Sequence, residues 1–305
     1  MIHSLLVPLD GSTFSEQALP TAASIARRTG ATLCLTRVHV PAGLLPFGGS
    51  TPVDAEHEHA LREEATTYLE RLASRTAEEH DVATSPTLLD GPVVESIDRH
   101  AQEVDADLIV MTTHGRSGIS RAWLGSVADG LVRLTHRPVL LIRPERTPPA
   151  RLRGGAFRCV LIPLDGSEAA EAMIPAALSV AGPAGIQVRL LQVVLPTTPA
   201  DHFAGELAVP FDHTDVEQRT AESEAYLRRV AERMRGKRVD ISTRVVTHGQ
   251  PAVAILEEAD RLDVDLIAMA THGRGGVVRL VLGSVADKVL RGASSPLLLL
   301  RTEGR

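Results

Sequence analysis

The sequence predicts two tandem α/β domains, each an open five-stranded parallel sheet flanked by helices. Three observations predict it. Short apolar runs alternate with stretches of helical periodicity, the pattern of parallel strands joined by crossover helices. Residues 107–143 recur as residues 265–301, each reading as strand, glycine-bearing loop, helix and strand. The chain has 305 residues, 44% of them apolar and 23% charged, enough for two soluble domains that each bury a core.

The repeat reaches well beyond that stretch. Leu5-Leu6-Val7-Pro8-Leu9-Asp10-Gly11-Ser12 recurs as Val160-Leu161-Ile162-Pro163-Leu164-Asp165-Gly166-Ser167, and Thr113-His114-Gly115 recurs as Thr271-His272-Gly273. Gly125-Ser126-Val127-Ala128-Asp129 recurs as Gly283-Ser284-Val285-Ala286-Asp287. The order is kept while the offset drifts only from 155 residues at Asp10/Asp165 to 158 at Gly125/Gly283. That is a duplicated domain and not a solenoid. The expected domains are 1–146 and 157–305, with a linker at 147–156 marked by Pro148, Pro149, Gly154 and Gly155.

Taken in order, residues 4–9 form strand one and turn at Asp10-Gly11-Ser12. Helix one then sets Ala18, Leu19, Ala22, Ala23 and Ala26 on one face, and 32–40 is strand two. Residues 41–53, rich in Pro and Gly, read as an irregular connection or lid. A helix over 54–79 carries Leu61, Ala65, Tyr68, Leu69, Leu72 and Ala73 as its apolar stripe. Strand three covers 82–89, and Pro92 takes the first position of a helix that buries Val93, Val94, Ile97 and Ala101.

Strand four, 107–111, is a short apolar run suited to burial on both faces. After the loop, a helix from Ser126 spaces Val127, Leu131 and Leu134 helically, and Ser126 with Asp129 resembles a capping box. Pro138 ends it. The second half repeats the plan, with strand two at 187–195, a long connection at 196–214, strand three at 239–246 and a helix from about Pro251. The last strands, Val139–Ile142 and Leu297–Leu300, are apolar and expected at sheet edges, which invite pairing.

Composition narrows the function. A net charge of −6 without a basic cluster, and 3% aromatic residues, argue against nucleic acid as a partner. No apolar run approaches a membrane span, and Met1-Ile2-His3-Ser4 leads into a strand without a signal-peptide pattern, so a cytoplasmic protein without membrane insertion is expected. Cys34 and Cys159 lie inside apolar runs of different halves, as buried reduced thiols would, and are too isolated for a metal site.

The chemistry is expected at the glycines. A helix starting at Gly125-Ser126 exposes unpaired N–H groups at its positive end, a site for an anion. Gly115 and Gly118 let the loop bring its own N–H groups to the same place, and Gly273, Gly276, Gly283 and Ser284 supply the same parts again. The plain alternative is a tight strand-to-helix connection. Asp10 and Asp165 sit at the carboxyl ends of the first strands, where open parallel sheets bind ligands if strands one and four are neighbours. A carboxylate there accepts hydrogen bonds from ribose hydroxyls or holds a metal carried by phosphates. Its plain alternative is turn and helix-cap duty.

Pro-Leu-Asp-Gly-Ser, then Thr-His-Gly, nine residues and Gly-Ser, resembles the universal stress protein family, and the resemblance covers both halves. It implies a Rossmann-like fold of the adenine-nucleotide alpha-hydrolase type, and ATP, with or without Mg2+, as cofactor. By that resemblance Asp10 and Asp165, in the motifs opened by Pro8 and Pro163, hold the ribose. Backbone near Val40 and Val194 meets adenine, and Met111 and Met269 flank sugar and base. The phosphates rest on Gly115, Gly125, Ser126 and Val127 and on Gly273, Gly283, Ser284 and Val285, with Arg116 and Arg274 approaching them. The family's ATP-binding pattern opens with a glycine against the ribose; Thr112 and Ala270 stand there instead.

Other motifs carry less. His114 and His272 read as turn residues, and Glu56-His57-Glu58-His59 as a solvated helical face. No Walker-type loop, Gly-x-Gly-x-x-Gly helix start or nucleophile elbow occurs, so no motif marks a designed activity, while slow ATP hydrolysis and a nucleotidyl-transfer enzyme stay open. The leading expectation is a stress-response or regulatory module binding up to one ATP in each half. The alternatives are a true ATPase and an interaction protein with empty sites, the latter kept in play by Thr112 and Ala270. Family members dimerise through the last strand, so the two halves are expected to form an intramolecular pseudo-dimer, with a homodimer as a further option.

Overall fold

The structure, a computed structural model, describes residues 2–41, 55–113, 124–143, 157–182, 185–196, 213–236, 239–271 and 282–302. The chain separates into two compact units, one built on Met1–Ala156 with Pro296–Arg301 and one on Phe157–Val278 with Leu282–Ser295.

In unit 1, β1 (Ser4–Pro8) leads through the short α1 (Thr13–Glu16) and α2 (Leu19–Thr29) to β2 (Thr32–His39). The long α3 (Ala55–His80) precedes β3 (Thr84–Asp90), α4 (Val93–Glu103), β4 (Leu108–Thr112), α5 (Ser126–Leu134) and β5 (Val139–Ile142). The strand order is β3-β2-β1-β4-β5, all parallel, so the order reverses between β1 and β4. Both β4 and β5 are buried along their whole length, as strands packed on both faces must be.

Unit 2 repeats this with β6 (Cys159–Pro163), α6 (Glu168–Glu171), α7 (Met173–Ala181), β7 (Ile186–Val194), α8 (His213–Arg233), β8 (Val239–Thr247), α9 (Pro251–Arg261), β9 (Leu266–Ala270) and α10 (Ser284–Gly292). Its strands run β9-β6-β7-β8, again parallel. The last strand, β10 (Leu297–Leu300), pairs antiparallel with β5 in unit 1, Leu297 against Leu141 and Leu299 against Val139. Val139–Ile142 ends the first parallel sheet and is paired on its outer side with β10, as an edge that invites pairing would be.

The expected first helix is broken in two. Pro20 has no N–H to give the carbonyl of Glu16, so the chain closes Gln17 and Ala18 onto Phe14 and Ser15 and starts again at Leu19. The buried face is as expected, with Ala18, Leu19, Ala22, Ala23 and Ala26 in the core. Leu61 is not part of the α3 stripe: it is 41% exposed, and burial begins only at Ala65. Pro92 caps α4 from outside and does not open it. The capping box at Ser126 is absent, because Gly125 is the N-cap, Ser126 is the first helical residue, and Asp129 pairs instead with Arg133 at 2.9 Å. Of the spaced residues on α5, Leu131 is buried together with Ala128 and Val132, while Val127 and Leu134 are half-buried.

Both cysteines are buried free thiols. Among the described residues no helix is long and apolar enough to cross a membrane.

Candidate functional site

β1 pairs with β4 through Leu5↔Leu108 and Leu6↔Ile109, and β6 with β9 through Val160↔Leu266 and Leu161↔Ile267. Continued to the carboxyl ends, this register sets Pro8 beside Met111 and Pro163 beside Met269. The condition on Asp10 is met: strands one and four are neighbours, and the motif residues of each half lie on the reversal point of its strand order.

The Asp-Gly-Ser turns are alike in the two units. Asp10 Oδ1 accepts from the Ser12 N–H at 2.9 Å and the Ser12 hydroxyl at 2.6 Å, and Asp165 Oδ1 accepts from Ser167 at 3.0 and 2.6 Å. Gly11 and Gly166 lie between them with φ of 82° and 87°, a left-handed conformation that glycine takes without strain. Each serine hydroxyl in turn accepts from the backbone three residues on, Ser15 N–H at 3.2 Å and Ala170 N–H at 3.1 Å, capping α1 and α6. The aspartates do turn duty, and at the same time the turn holds each carboxylate at the carboxyl end of its first strand.

Opposite them stand the starts of α5 and α10. The Gly125 N–H donates to the Thr113 carbonyl at 2.7 Å and the Gly283 N–H to Thr271 at 2.9 Å, which draws each helix start back to the end of β4 or β9. Gly125 and Gly283 have extended N-cap geometry, φ −63° and −57°, and neither helix has a side-chain cap. The first turn of each helix, Ser126-Val127 or Ser284-Val285, keeps its donors for something other than a side-chain cap. Met111, Thr112, Met269 and Ala270 are buried at the strand ends behind them. The expected contacts at Gly115, Arg116, His114, Gly273, Arg274 and His272, and both long connections, lie outside the described residues.

The proposed base-side positions are not equivalent. Pro8 pairs with Thr36 and Pro163 with Leu191, so Val194 corresponds to His39, and Val40 to the exposed Leu195. His39 was missed by sequence reasoning; its Nε2 meets Glu58 Oε1 at 2.5 Å. Also missed was a second duplicated cluster beside the aspartates. In unit 1, Tyr68 donates to Glu16 at 3.0 Å, Arg75 pairs with the same carboxylate at 2.8 Å, and the Arg37 guanidinium lies 5.5 Å from the centre of the Tyr68 ring. In unit 2, Tyr226 faces Glu171, which Arg233 meets at 2.5 Å. Burial and the facing glutamate push both phenols well above their ordinary pKa, and Asp10 and Asp165 add smaller upward contributions. The signal that could have found them is the Glu six residues after each aspartate together with Tyr and Arg seven apart on the long helix, present in both halves.

Among the described residues no group of three His, Cys, Asp or Glu could hold a metal ion. The arrangement suits an anion with a hydroxyl-rich part: uncapped helix donors on one side, a fixed carboxylate on the other.

Comparison with known proteins gives the family. The sequence pattern of the universal stress protein family matches residues 1–143 and again 156–301. A universal stress protein of Mycobacterium tuberculosis (strain CDC 1551 / Oshkosh) is 27% identical over 311 residues, covering 97% of this chain and 94% of that one. One from Mycolicibacterium smegmatis is 26% identical over 308 residues, covering 98% and 97%. In fold the chain resembles a universal stress protein from Archaeoglobus fulgidus, with a TM-score of 0.74 at 19% identity over 98% of both chains.

Proposed function

This chain is a member of the universal stress protein family, with two such domains in tandem, and we propose that it is a cytoplasmic stress-response module that binds one ATP in each domain. The domains would span 1–146 and 157–305. The observation that carries the reading is the pairing, twice over, of a fixed carboxylate with an uncapped helix start across the carboxyl ends of adjacent parallel strands, Asp10 with Gly125-Ser126 and Asp165 with Gly283-Ser284. Ribose hydroxyls donate to the aspartates and the phosphates accept from the helix N–H groups. Any Mg2+ would enter with the phosphates. In this reading the output is nucleotide binding, with hydrolysis slow at most.

The antiparallel pairing of β10 with β5 supports an intramolecular pseudo-dimer in which the last strands satisfy each other. A second reading, an interaction protein whose sites stay empty, is favoured by Thr112 and Ala270 at the first motif glycine, both of them buried.

Native mass spectrometry of the purified chain, before and after Mg-ATP, tests this. Two bound nucleotides are expected, falling to one in Asp10→Asn and in Asp165→Asn, which keep the Oδ1 acceptor of each turn. A chain that stays empty at millimolar ATP overturns the nucleotide reading and leaves the interaction protein.

A further inference from the structure

In unit 2 a hollow of about 270 Å³ opens between β7, β8 and the last turns of α9. Its polar lining is dominated by three guanidiniums. Arg189 on β7 donates to Ser242 Oγ at 2.7 Å and to Gln187 Oε1 at 2.9 Å. Arg244 on β8 and Arg261 on α9 grip one carboxylate from two sides: Arg244 Nε meets Glu258 Oε1 at 2.9 Å, and Arg261 Nη2 meets Glu258 Oε2 at 2.6 Å. The Glu258 side chain is only 9% exposed, and a buried carboxylate needs such partners. Arg189 also pairs with Asp240 at 3.7 Å, whose 67% exposure lets water screen it, and lies against the Cys159 thiol. Two of the three cations thus grip one buried anion, and Arg244 and Arg261, each about half exposed, keep N–H groups that have no other partner among the described residues.

The first half is an internal control. By strand pairing Cys34 stands where Arg189 does, both beside the third residue of the first strand, and Thr87 stands where Arg244 does. Counting from the helix N-caps Pro92 and Gln250, His100 replaces Glu258 and Glu103 replaces Arg261. The duplicated fold stands in unit 1 without a single arginine at these places. One cation in the last turn of α9 would answer its helix dipole; three exceed that need.

We propose that this hollow is an anion site of the second half alone, taking a compact phosphoryl dianion, remote from the strand-end crevice and independent of it. Guanidiniums present the planar forks that fit phosphate oxygens in pairs, and the space exceeds that of several waters at about 30 Å³ each.

The test is calorimetric titration of inorganic phosphate and of pyrophosphate into the full chain carrying Gly125→Asp and Gly283→Asp, which block both strand-end sites. One anion per chain is expected. Affinity should fall at least tenfold in Arg244→Gln, while Glu258→Gln, which releases two guanidiniums from their internal carboxylate, should tighten binding at least threefold. A side chain that merely holds the fold together would not tighten anything, so this second variant decides even if the first unfolds. No heat of binding, or no change in Glu258→Gln, overturns the proposal. So does binding that is present in the natural chain and vanishes with Gly283→Asp, since the anion would then have been at the strand-end site.

Discussion

The Tyr68 phenol on α3 donates a 3.0 Å hydrogen bond to the Glu16 carboxylate on α1, and Tyr226 faces Glu171 at the matching place in unit 2. These are the only two tyrosines in the chain. Burial first, and the glutamate second, raise both phenol pKa values. A group whose folded pKa lies above its unfolded value lends stability that is fully present below the unfolded pKa, about 10 for tyrosine, and is lost as pH climbs toward the raised value. Absorbance at the phenolate band should therefore show no tyrosine ionising near its ordinary pKa in the native chain, and two ionising there in denaturant. Stability should decline above about pH 10, less steeply in Tyr68→Phe. A native chain that ionises one phenol at the ordinary pKa would show that this phenol is neither buried nor faced by its glutamate.

Capping and anion binding compete for the same N–H groups at the start of α5 and α10, which gives a prediction of opposite signs. Gly125 and Gly283 already have N-cap geometry, and neither helix has a side-chain cap. An aspartate at either position can cap its helix and complement the dipole, adding roughly 0.5 kcal/mol. The same carboxylate takes the donors and repels a phosphate, so nucleotide affinity in that domain should fall at least about tenfold, or 1.4 kcal/mol. Melting and titration of Gly125→Asp and Gly283→Asp check both signs. A variant that gains stability and keeps its affinity would place the phosphates elsewhere.

The alternation of strand and helix, the duplication and the buried strand ends were all legible because they rest on local pattern and on repetition. What was not legible required knowing which residues face each other. Val40 and Val194 look equivalent by eye, but strand pairing sets Val194 against His39, and one residue of slip moves a side chain to the other face of a sheet. The Tyr68–Glu16 contact spans 52 residues, so its only signal was the repetition of Glu, Tyr and Arg spacings in both halves, not a pattern within one segment. Ser126 misled in another way: a serine at a helix start normally caps it, and here the glycine before it takes the cap and leaves the donors open.

Asp107 and Asp265 open the duplicated stretch for a structural reason that predicts their rank. Asp265 Oδ2 accepts from the Arg158 and Cys159 N–H groups at 2.8 and 2.9 Å, and its own N–H donates to the Cys159 carbonyl at 2.9 Å. Asp107 does the same at the start of β1, accepting from His3 at 2.7 Å and Ser4 at 3.2 Å. Asp265 is buried and the groups around Asp107 reach water. Only in unit 2 does removing the acceptor orphan a buried donor, the Cys159 N–H. Asp265→Ala should cost about 2–3 kcal/mol and Asp107→Ala about 1 kcal/mol, read from denaturant midpoints. The reverse order would mean that water satisfies the β6 end as easily as the β1 end.

Two glycines in matching helices should answer the same mutation differently. A Cβ at Gly130 on α5 would lie 2.8 Å from Cγ2 and 3.1 Å from Cγ1 of Val94 on α4. Valine carries both methyls on its stiff Cβ, so turning χ1 takes one away and brings the other in. A Cβ at Gly292 on α10 would lie 2.5 Å from a single methyl of Leu256, with the next atom at 3.7 Å. Leucine can swing that methyl aside about χ2 at small cost. Alanine in a helix gains about 1 kcal/mol over glycine, while overpacking costs about 1–3 kcal/mol. Gly292→Ala should therefore leave stability within about 0.5 kcal/mol of the natural chain or raise it, and Gly130→Ala should lower it by about 1 kcal/mol. Thermal melts of the two variants settle the ranking, and a Gly130→Ala chain at least as stable as Gly292→Ala would mean that α4 and α5 separate enough to admit the methyl.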